Sequence, residues 1–233
     1  MGCRDASHFE VNLLKEIIVG KIVDTESKYR PHSLDEFVFP NKHVEEVVKA
    51  YGSGEITRPL ILSGANGTGK SLLSELIPKQ IEGCKPQVNR VRSCDLNSSK
   101  EIYSQFERGK QFDKLFTTNN QRYNYNVIEE VNIDPKARDA FRVVLDDYRG
   151  VDMTIMTTNE IEKIDIGVRS RCETLHVPPC EPQVFFPRAK AIIEAEGYSI
   201  DDDALMAALD AVYEAKPDNR HYYQKIDEIL RKA

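Results

Sequence analysis

The sequence lacks any apolar run long enough to span a bilayer, which excludes an integral membrane protein. Its amino terminus also lacks the apolar stretch of a secretory signal, so we expect a cytoplasmic protein. The five cysteines are odd in number, scattered, and contain no C-x-x-C pair. This pattern argues against a disulfide framework and against a zinc site, and we expect the cysteines to be reduced and mostly buried.

The chain also has no excess of positive charge. Its 233 residues include 32 Lys and Arg against 38 Asp and Glu, a net charge of −6, so the molecule as a whole is not a basic nucleic-acid binder. Any such contact needs a local basic surface. Residues 85–125 provide a candidate, because they contain twice as many basic as acidic side chains: Lys85, Arg90, Arg92, Lys100, Arg108, Lys110, Lys114 and Arg122.

Short apolar runs alternate with stretches of helical periodicity. The runs at residues 60–62, 127–128 and 153–156 are typical of buried parallel strands. Helical spacing occurs over residues 9–23, after a cap at Asn41, and over residues 137–145. This alternation predicts an α/β fold with a largely parallel sheet.

A proline-rich break divides the chain near its carboxyl end. Pro178, Pro179 and Pro182 interrupt the α/β pattern, and helical periodicity follows over residues 185–196, 202–213 and 219–230. We therefore expect a core domain over residues 1–178 and a small all-helical domain over residues 179–233.

A glycine-rich loop matches G-x-x-x-x-G-K-[ST] at every fixed position and lies between an apolar strand and an apolar helix. In such a loop, backbone N–H groups face the phosphates of a nucleotide. Lys70 would contact the β- and γ-phosphates, and the Ser71 hydroxyl would coordinate Mg²⁺. The sequence therefore predicts a nucleoside triphosphate site at residues Gly64, Ala65, Asn66, Gly67, Thr68, Gly69, Lys70 and Ser71, followed by Leu72.

The acidic element that such a site needs ends the apolar run at residues 127–128. Glu129 stands where an aspartate is usual, and we assign it to the Mg²⁺ shell through water, with Glu130 polarising the attacking water. The longer side chain of Glu129 could slow hydrolysis or leave a protein that only holds its nucleotide. The alternative is a solvated acidic pair at a strand end.

These motifs resemble the small subunits of sliding-clamp loaders, within the AAA+ ATPases. The resemblance extends from about Lys28 to Leu230 and implies an AAA+ P-loop core, a parallel sheet flanked by helices, followed by a small all-α lid. The residues that carry it, besides the loop and the acidic pair, are Lys28, Tyr29, Arg30, Pro31, Leu34, Asp35, Glu36, Phe37, Val131, Thr157, Thr158, Asn159, Ser170, Arg171, Cys172, Pro187, Arg188, Ala189, Lys190, Glu196, Gly197, Asp218, Asn219 and Arg220.

The resemblance also implies roles for individual residues. Asn159 would hydrogen-bond the γ-phosphate or the attacking water, and Arg220 would reach the γ-phosphate from the lid. Arg171 would be an arginine finger that acts on ATP bound by a neighbouring subunit, with Arg169 as the alternative. The nucleotide base would lie along Tyr29, Arg30 and Pro31.

An arginine finger in trans implies an oligomer of this chain or of related AAA+ subunits, with ATP and Mg²⁺ at the interfaces. In clamp loaders the region matching residues 85–125 faces duplex DNA, and a sliding clamp or another protein is the client; no membrane is involved. The sequence ends at Ala233 without the helical collar of those subunits. Either it is truncated or the protein assembles differently. A remodelling factor that acts on protein without DNA, and a nucleotide-binding scaffold, remain alternatives.

Overall fold

The computed structural model describes residues 24–115 and 121–232, so the helix expected over residues 9–23 lies outside the described part. Five parallel strands form one sheet in the order β2-β3-β4-β1-β5. Their bounds are Leu60–Ser63 (β1), Val88–Arg92 (β2), Asn124–Glu129 (β3), Asp152–Thr158 (β4) and Glu173–His176 (β5). The predicted α/β class with a parallel sheet is confirmed.

Helices surround the sheet and then continue alone to the carboxyl end. Those of the first part are Thr25–Lys28 (α1), Lys42–Gly52 (α2), Lys70–Glu82 (α3), Ser99–Leu115 (α4), Arg138–Asp147 (α5) and Ile166–Arg169 (α6). Those of the second part are Pro182–Ala195 (α7), Asp202–Ala215 (α8) and Asn219–Lys232 (α9). The Asn41 side chain caps α2 by accepting a hydrogen bond from the Val44 N–H at 2.9 Å, as its position predicts.

The sheet has a hydrophobic core on each face. One face packs against α4 and α5 through Phe106, Phe141 and Val144, and the other packs against α2 and α3 through Val48 and Leu73. Because β1 and β4 are covered on both faces, their residues are buried along their whole length. This double burial produces the continuous apolar runs by which the sequence identified these strands.

The carboxyl-terminal helices have a core of their own. In it, the ring of Phe185 stacks on Tyr222 with the ring centroids 4.6 Å apart, and α8 contributes Leu205 and Leu209. Helix α1 also docks here, since the Thr25 N–H donates to the Asp227 carboxylate of α9 at 3.0 Å. The domain boundary at residues 178/179 stays a prediction.

Cysteine burial differs from the expectation. Cys172 and Cys180 are buried, but Cys84 and Cys94 are exposed, so the expectation of mostly buried cysteines is wrong for two of the four that the structure describes. No helix within the described residues is long and apolar enough to cross a membrane. The cytoplasmic location stays a prediction.

Candidate nucleotide site

The parallel sheet brings three predicted groups to one edge. The glycine-rich loop follows β1, Glu130 follows β3, and Asn159 follows β4. Because β4 lies between β1 and β3 in the sheet, Asn159 stands between the loop and Glu130. Ligands of open α/β sheets bind at this carboxyl edge of the strands.

The backbone of the loop requires its glycines. Gly64 and Gly67 have φ angles of +145° and +74°, in the region that favours glycine. A Cβ at Gly64 would lie 2.3 Å from the Val177 carbonyl oxygen. A Cβ at Gly67 would lie 1.6 Å from the Asp218 Oδ1, because the carboxylate of the lid residue rests on the loop. The Thr68 hydroxyl closes the loop by donating to the Ala65 carbonyl at 3.2 Å.

Lys70 is buried at the start of α3, with 7% of its surface exposed. Its Nζ donates to the Gly64 carbonyl at 2.8 Å and also to the Ala65 carbonyl. Burial lowers the pKa of Lys70, and the nearby positive charge of Arg220 lowers it further. A buried cation whose hydrogen-bond acceptors are neutral carbonyls fits a site that receives an anion.

Glu130 has an unusual backbone. Its φ of +50° is the only positive value among the non-glycine residues described. Such a conformation costs about 1–3 kcal/mol and needs support from its surroundings. The Glu130 N–H donates to the Thr157 hydroxyl at 3.1 Å, and the Ser93 hydroxyl donates to the Glu130 carbonyl at 2.6 Å. These bonds hold the turn that presents Glu130 to the cleft.

Glu129 is directed elsewhere. It is not among the residues that line the cleft, and its Oε1 accepts a hydrogen bond from Arg90 Nη1 at 2.9 Å. The sequence did not indicate this ion pair, because Arg90 lies on a different strand. The assignment of Glu129 to the Mg²⁺ shell stays a prediction.

The loop, the acidic turn and the lid enclose a cleft of about 540 Å³. Of the predicted site residues, Arg30, Pro31, Asn66, Gly67, Gly69, Lys70, Ser71, Leu72, Glu130, Asn159 and Arg220 line it. Tyr29 does not; its hydroxyl donates to Glu196 at 2.7 Å, against the lid. Sequence analysis missed further lining residues, among them Glu26, Val38, Phe185 and Tyr223, and it gave no site role to Phe37 and Thr157, which also line the cleft.

Arg171 lies at the opposite edge of the sheet. It precedes β5, next to Arg58, whose Nη2 donates to the Ser170 carbonyl at 2.9 Å and whose Nε donates to the Arg171 carbonyl at 3.4 Å. The Arg171 side chain pairs with Asp146 at 2.8 Å. Because the strands are parallel, Arg171 and the glycine-rich loop are at the two ends of the sheet, and Arg171 does not line the cleft.

The basic region over residues 85–125 is not one patch. Lys85 and Arg122 precede β2 and β3 and so lie toward the amino edge of the sheet. Arg90 is paired with two carboxylates. Only Arg92 and Lys100, near the amino end of α4, lie on the carboxyl side within the described part; the side chains of Arg108, Lys110 and Lys114 lie outside it.

The residues present fit a nucleoside triphosphate with Mg²⁺. Buried Lys70 and the N–H groups of the loop fit the phosphates. Within the described residues there is no cluster of three or more His, Cys, Asp or Glu that could hold a metal alone. Mg²⁺ does not need one, because it is usually held by one or two protein oxygens together with waters and substrate phosphates. Ser71 and a carboxylate of the acidic turn could supply those oxygens.

Sequence comparison finds relatives in replication proteins, although no protein-family model matches. The Replication factor C small subunit of Aeropyrum pernix is 30% identical over 190 residues, which cover 80% of this chain and 56% of the relative. Replication factor C subunit 2 of Saccharomyces cerevisiae is 26% identical over 78% of this chain and 55% of its own length. The chain spans a little over half the length of these relatives.

Structural comparison finds solved structures with a similar fold. The Thermotoga maritima RuvB Holliday junction branch migration motor aligns with a TM-score of 0.62 and 16% identity, over 88% of this chain and 65% of that one. Variants of the same motor give TM-scores up to 0.65. At such low identity these likenesses show the fold alone.

Proposed function

We propose that this chain is an AAA+ protein related to the clamp-loader ATPases, that it binds and hydrolyses ATP, and that it assembles with other AAA+ subunits to act on DNA. The observation that carries the proposal is the cleft, where a buried lysine, a glycine-rich loop, a carboxylate, an amide and a lid arginine converge. Each of these groups suits one part of a hydrolysable triphosphate.

Each residue of the cleft has a separate role in this proposal. Lys70 and the loop N–H groups would bind the phosphates, and Ser71 would hold Mg²⁺, which when bound supplies neutralisation of the charge on the phosphate oxygens. Glu130 accepts a proton from the attacking water, and Asn159 orients that water. Arg220 reaches the phosphates from the lid, which couples the position of the lid to the state of the nucleotide.

We propose that Arg171 serves the cleft of a neighbouring subunit. Its place at the opposite edge of the sheet supports a role in trans, because a head-to-tail arrangement brings that edge against the next subunit's cleft. The neighbouring subunit is a second copy of this chain or a related AAA+ subunit.

We propose that duplex DNA is bound at the amino end of α4 by Lys100 and Arg92. A helix amino terminus and nearby cations suit backbone phosphates. The names of the sequence relatives favour this role in replication over remodelling of a protein without DNA. A sliding clamp is the protein client that the same relationship suggests.

The first test separates nucleotide binding from hydrolysis. We expect Glu130→Gln to bind a fluorescent ATP analogue as tightly as the wild type but to release phosphate at least 100-fold more slowly, because the general base is lost. The matched control is Glu160→Gln, an exposed glutamate just beyond Asn159. Unchanged turnover in Glu130→Gln would contradict the assignment.

The second test addresses assembly and DNA. We would measure molar mass in solution with a slowly hydrolysed ATP analogue, with and without duplex DNA, for the wild type and for Lys100→Gln. We expect larger assemblies with the analogue and salt-sensitive DNA binding, with a shallower salt slope in Lys100→Gln by about one unit. The control is Lys85→Gln. Assemblies indifferent to DNA would favour the remodelling alternative.

A further inference from the structure

A buried carboxylate of the lid lies between the glycine-rich loop and Arg220. The Asp218 side chain is 7% exposed, and its Oδ1 accepts a hydrogen bond from the Arg220 N–H at 2.9 Å and lies 3.5 Å from the Arg220 Nε. The same carboxylate rests against Gly67, where it leaves no room for a Cβ. One side chain therefore contacts the loop, the backbone at the start of α9, and the side chain of an arginine that lines the cleft.

Both charges of this pair act at the phosphate end of the cleft. Burial and the positive charge of Arg220 lower the pKa of Lys70, and the negative charge of Asp218 opposes them. Asp218 is therefore close enough to Lys70 for its charge to act on a phosphate bound there. A carboxylate at that place repels a triphosphate, which is a disadvantage for binding unless the charge serves another purpose.

Capping of α9 does not account for the charge. Asp218 precedes the helix, and its carboxylate accepts the N–H of the second helical residue, Arg220. Asparagine and serine cap helices about as well as aspartate, because each provides a side-chain oxygen as acceptor. What aspartate adds is a negative charge, and Arg220 is its ion-pair partner.

The Arg220 side chain gains from such a restraint. About half of it is exposed. A long, exposed arginine has many rotamers, and restricting them when a phosphate binds costs affinity. A carboxylate beside the Nε limits those rotamers before the nucleotide arrives. Asp218 is suited to this because it is buried and packed against the backbone of Gly67.

We propose that Asp218 is a positioning residue for Arg220: the negative charge of the buried carboxylate, rather than its capping hydrogen bond, holds the guanidinium where it meets the γ-phosphate. The inference rests on the proposed function, in which Arg220 reaches the phosphates from the lid. It gives a role in nucleotide recognition to a residue that is not among those lining the cleft.

The test compares the affinity for a slowly hydrolysed ATP analogue with the affinity for ADP, both measured at equilibrium with Mg²⁺. The ratio of the two affinities reports the contacts made to the γ-phosphate. We expect Asp218→Asn, which keeps a capping oxygen, to lower this ratio about two- to fivefold, as for loss of one partly exposed ion pair. Asp218→Ser, which also caps without a charge, should do the same.

The matched control is Asp201→Asn. Asp201 caps α8 of the same lid by accepting the Ala204 N–H at 3.2 Å, and it does not line the cleft, so the ratio should be unchanged. A loss of folding stability alone does not move the ratio either, because both affinities are measured on the same folded fraction.

The sign of the change separates positioning from simple repulsion. Removing a repelling charge alone would raise the ratio, because the ATP analogue carries more negative charge than ADP. In the Arg220→Gln background, Asp218→Asn should no longer lower the ratio. A raised or unchanged ratio for Asp218→Asn alone, or an equal decrease in both backgrounds, would overturn the inference.

Two further outcomes separate this inference from the proposed function. If Arg220→Gln has the same ratio as the wild type, Arg220 does not meet the γ-phosphate, and the inference fails while nucleotide binding stands. A wild type that binds neither the ATP analogue nor ADP would overturn the proposed function together with the inference.

Discussion

The two edges of the sheet hold their functional side chains in different ways. At the carboxyl edge, Lys70 is buried, and the backbone of Glu130 is held by two hydroxyls: that of Thr157 accepts from its N–H, and that of Ser93 donates to its carbonyl. At the amino edge, Arg171 is held by a half-exposed carboxylate, Asp146, and by a hydrogen bond from its Nη1 to the Gly167 carbonyl. At the first edge the backbone of the functional residue is itself held by hydrogen bonds, whereas at the second the functional side chain is held by a partner that water can reach.

This difference suits the two proposed tasks. A group that acts on a ligand in its own cleft gains from being fixed before the ligand arrives. A group that acts on a neighbouring subunit must remain accessible until that subunit docks. The exposed pair with Asp146 satisfies Arg171 in the single chain at little energetic cost and can be exchanged for phosphate oxygens.

The variant with the largest expected effect tests whether Arg171 of one subunit acts in the cleft of its neighbour. We expect Arg171→Ala to lose at least about 10³-fold in ATP turnover while it retains nucleotide binding. Mixing it with Glu130→Gln should restore activity, up to about a quarter of the wild-type rate, because some interfaces then join two intact halves. Phosphate release from the mixture measures this. If the mixture of Arg171→Ala and Glu130→Gln stays inactive, Arg171 does not complete the active site of a neighbouring subunit.

The carboxyl edge is tested at Lys70. We expect Lys70→Met to weaken ATP binding by about 10- to 100-fold, because charge-assisted bonds to the phosphates are lost. Without nucleotide, the same variant should melt at a higher temperature than the wild type, since the lowered pKa of Lys70 shows that its buried charge is unfavourable. Lys79→Met, which removes a half-buried lysine of the same helix that does not line the cleft, should change neither property in this way. A lower melting temperature for nucleotide-free Lys70→Met would contradict the account.

A further test concerns Asp165, which lies between β4 and β5, caps α6 and pairs with Arg142 at 2.6 Å. The Arg142 guanidinium lowers the pKa of Asp165 below the ordinary 3.8. The pair therefore contributes its full stability above about pH 4, and this contribution is lost as the pH falls through the lowered pKa. Asp165→Asn keeps a capping side chain and should cost about 0.5–1 kcal/mol at pH 7, with a smaller loss of stability on acidification.

Urea unfolding at pH 7 and pH 3 measures this. Asp165→Ala, which also loses the cap, should cost about 1 kcal/mol more at both values. If Asp165→Asn showed the same acid dependence as the wild type, the pair with Arg142 would not be the source.

The smallest effect is expected at Asp146. Because its pair with Arg171 is exposed, Asp146→Asn should change the free energy of unfolding by less than about 1 kcal/mol. Thermal or urea unfolding measures this against Asp147→Asn, its exposed neighbour. A cost of several kcal/mol would mean that the amino edge is as firmly built as the carboxyl edge, and the contrast between the two edges would fail.

Sequence alone predicted the three inner strands, which are buried on both faces, but not the two outermost strands of the sheet, β2 and β5. β2 and β5 each bury a single residue, Val91 and Leu175, so they produce no apolar run. The three helices of the lid were predicted to within three residues, because proline and glycine bound them. The helical periods of α2 and α5 were likewise clear from residues close in the chain.

In the candidate site, the residues found from sequence patterns alone were those whose chemistry is local, whereas Arg30, Pro31, Asn159 and Arg220 came from the family resemblance. The loop, Lys70 and the acidic pair are adjacent to strands that the sequence reveals. Phe185 and Tyr223 were missed because the lid folds back over the cleft, and no short-range pattern encodes that approach. The pairing of Arg90 with Glu129 was missed for the same reason, since it depends on the order of strands in the sheet. The catalytic roles themselves stay predictions.

The carboxylate of Asp218 against Gly67 limits how this protein could be rebuilt from parts. Any side chain at Gly67 would collide with Asp218, and the two positions belong to segments far apart in the chain. A lid taken from a distant relative would need, at the position of Asp218, a side chain that fits against the backbone of Gly67 without a clash. The loop and the start of α9 are therefore expected to be inherited together, and recombination between them should be tolerated only when both come from the same parent.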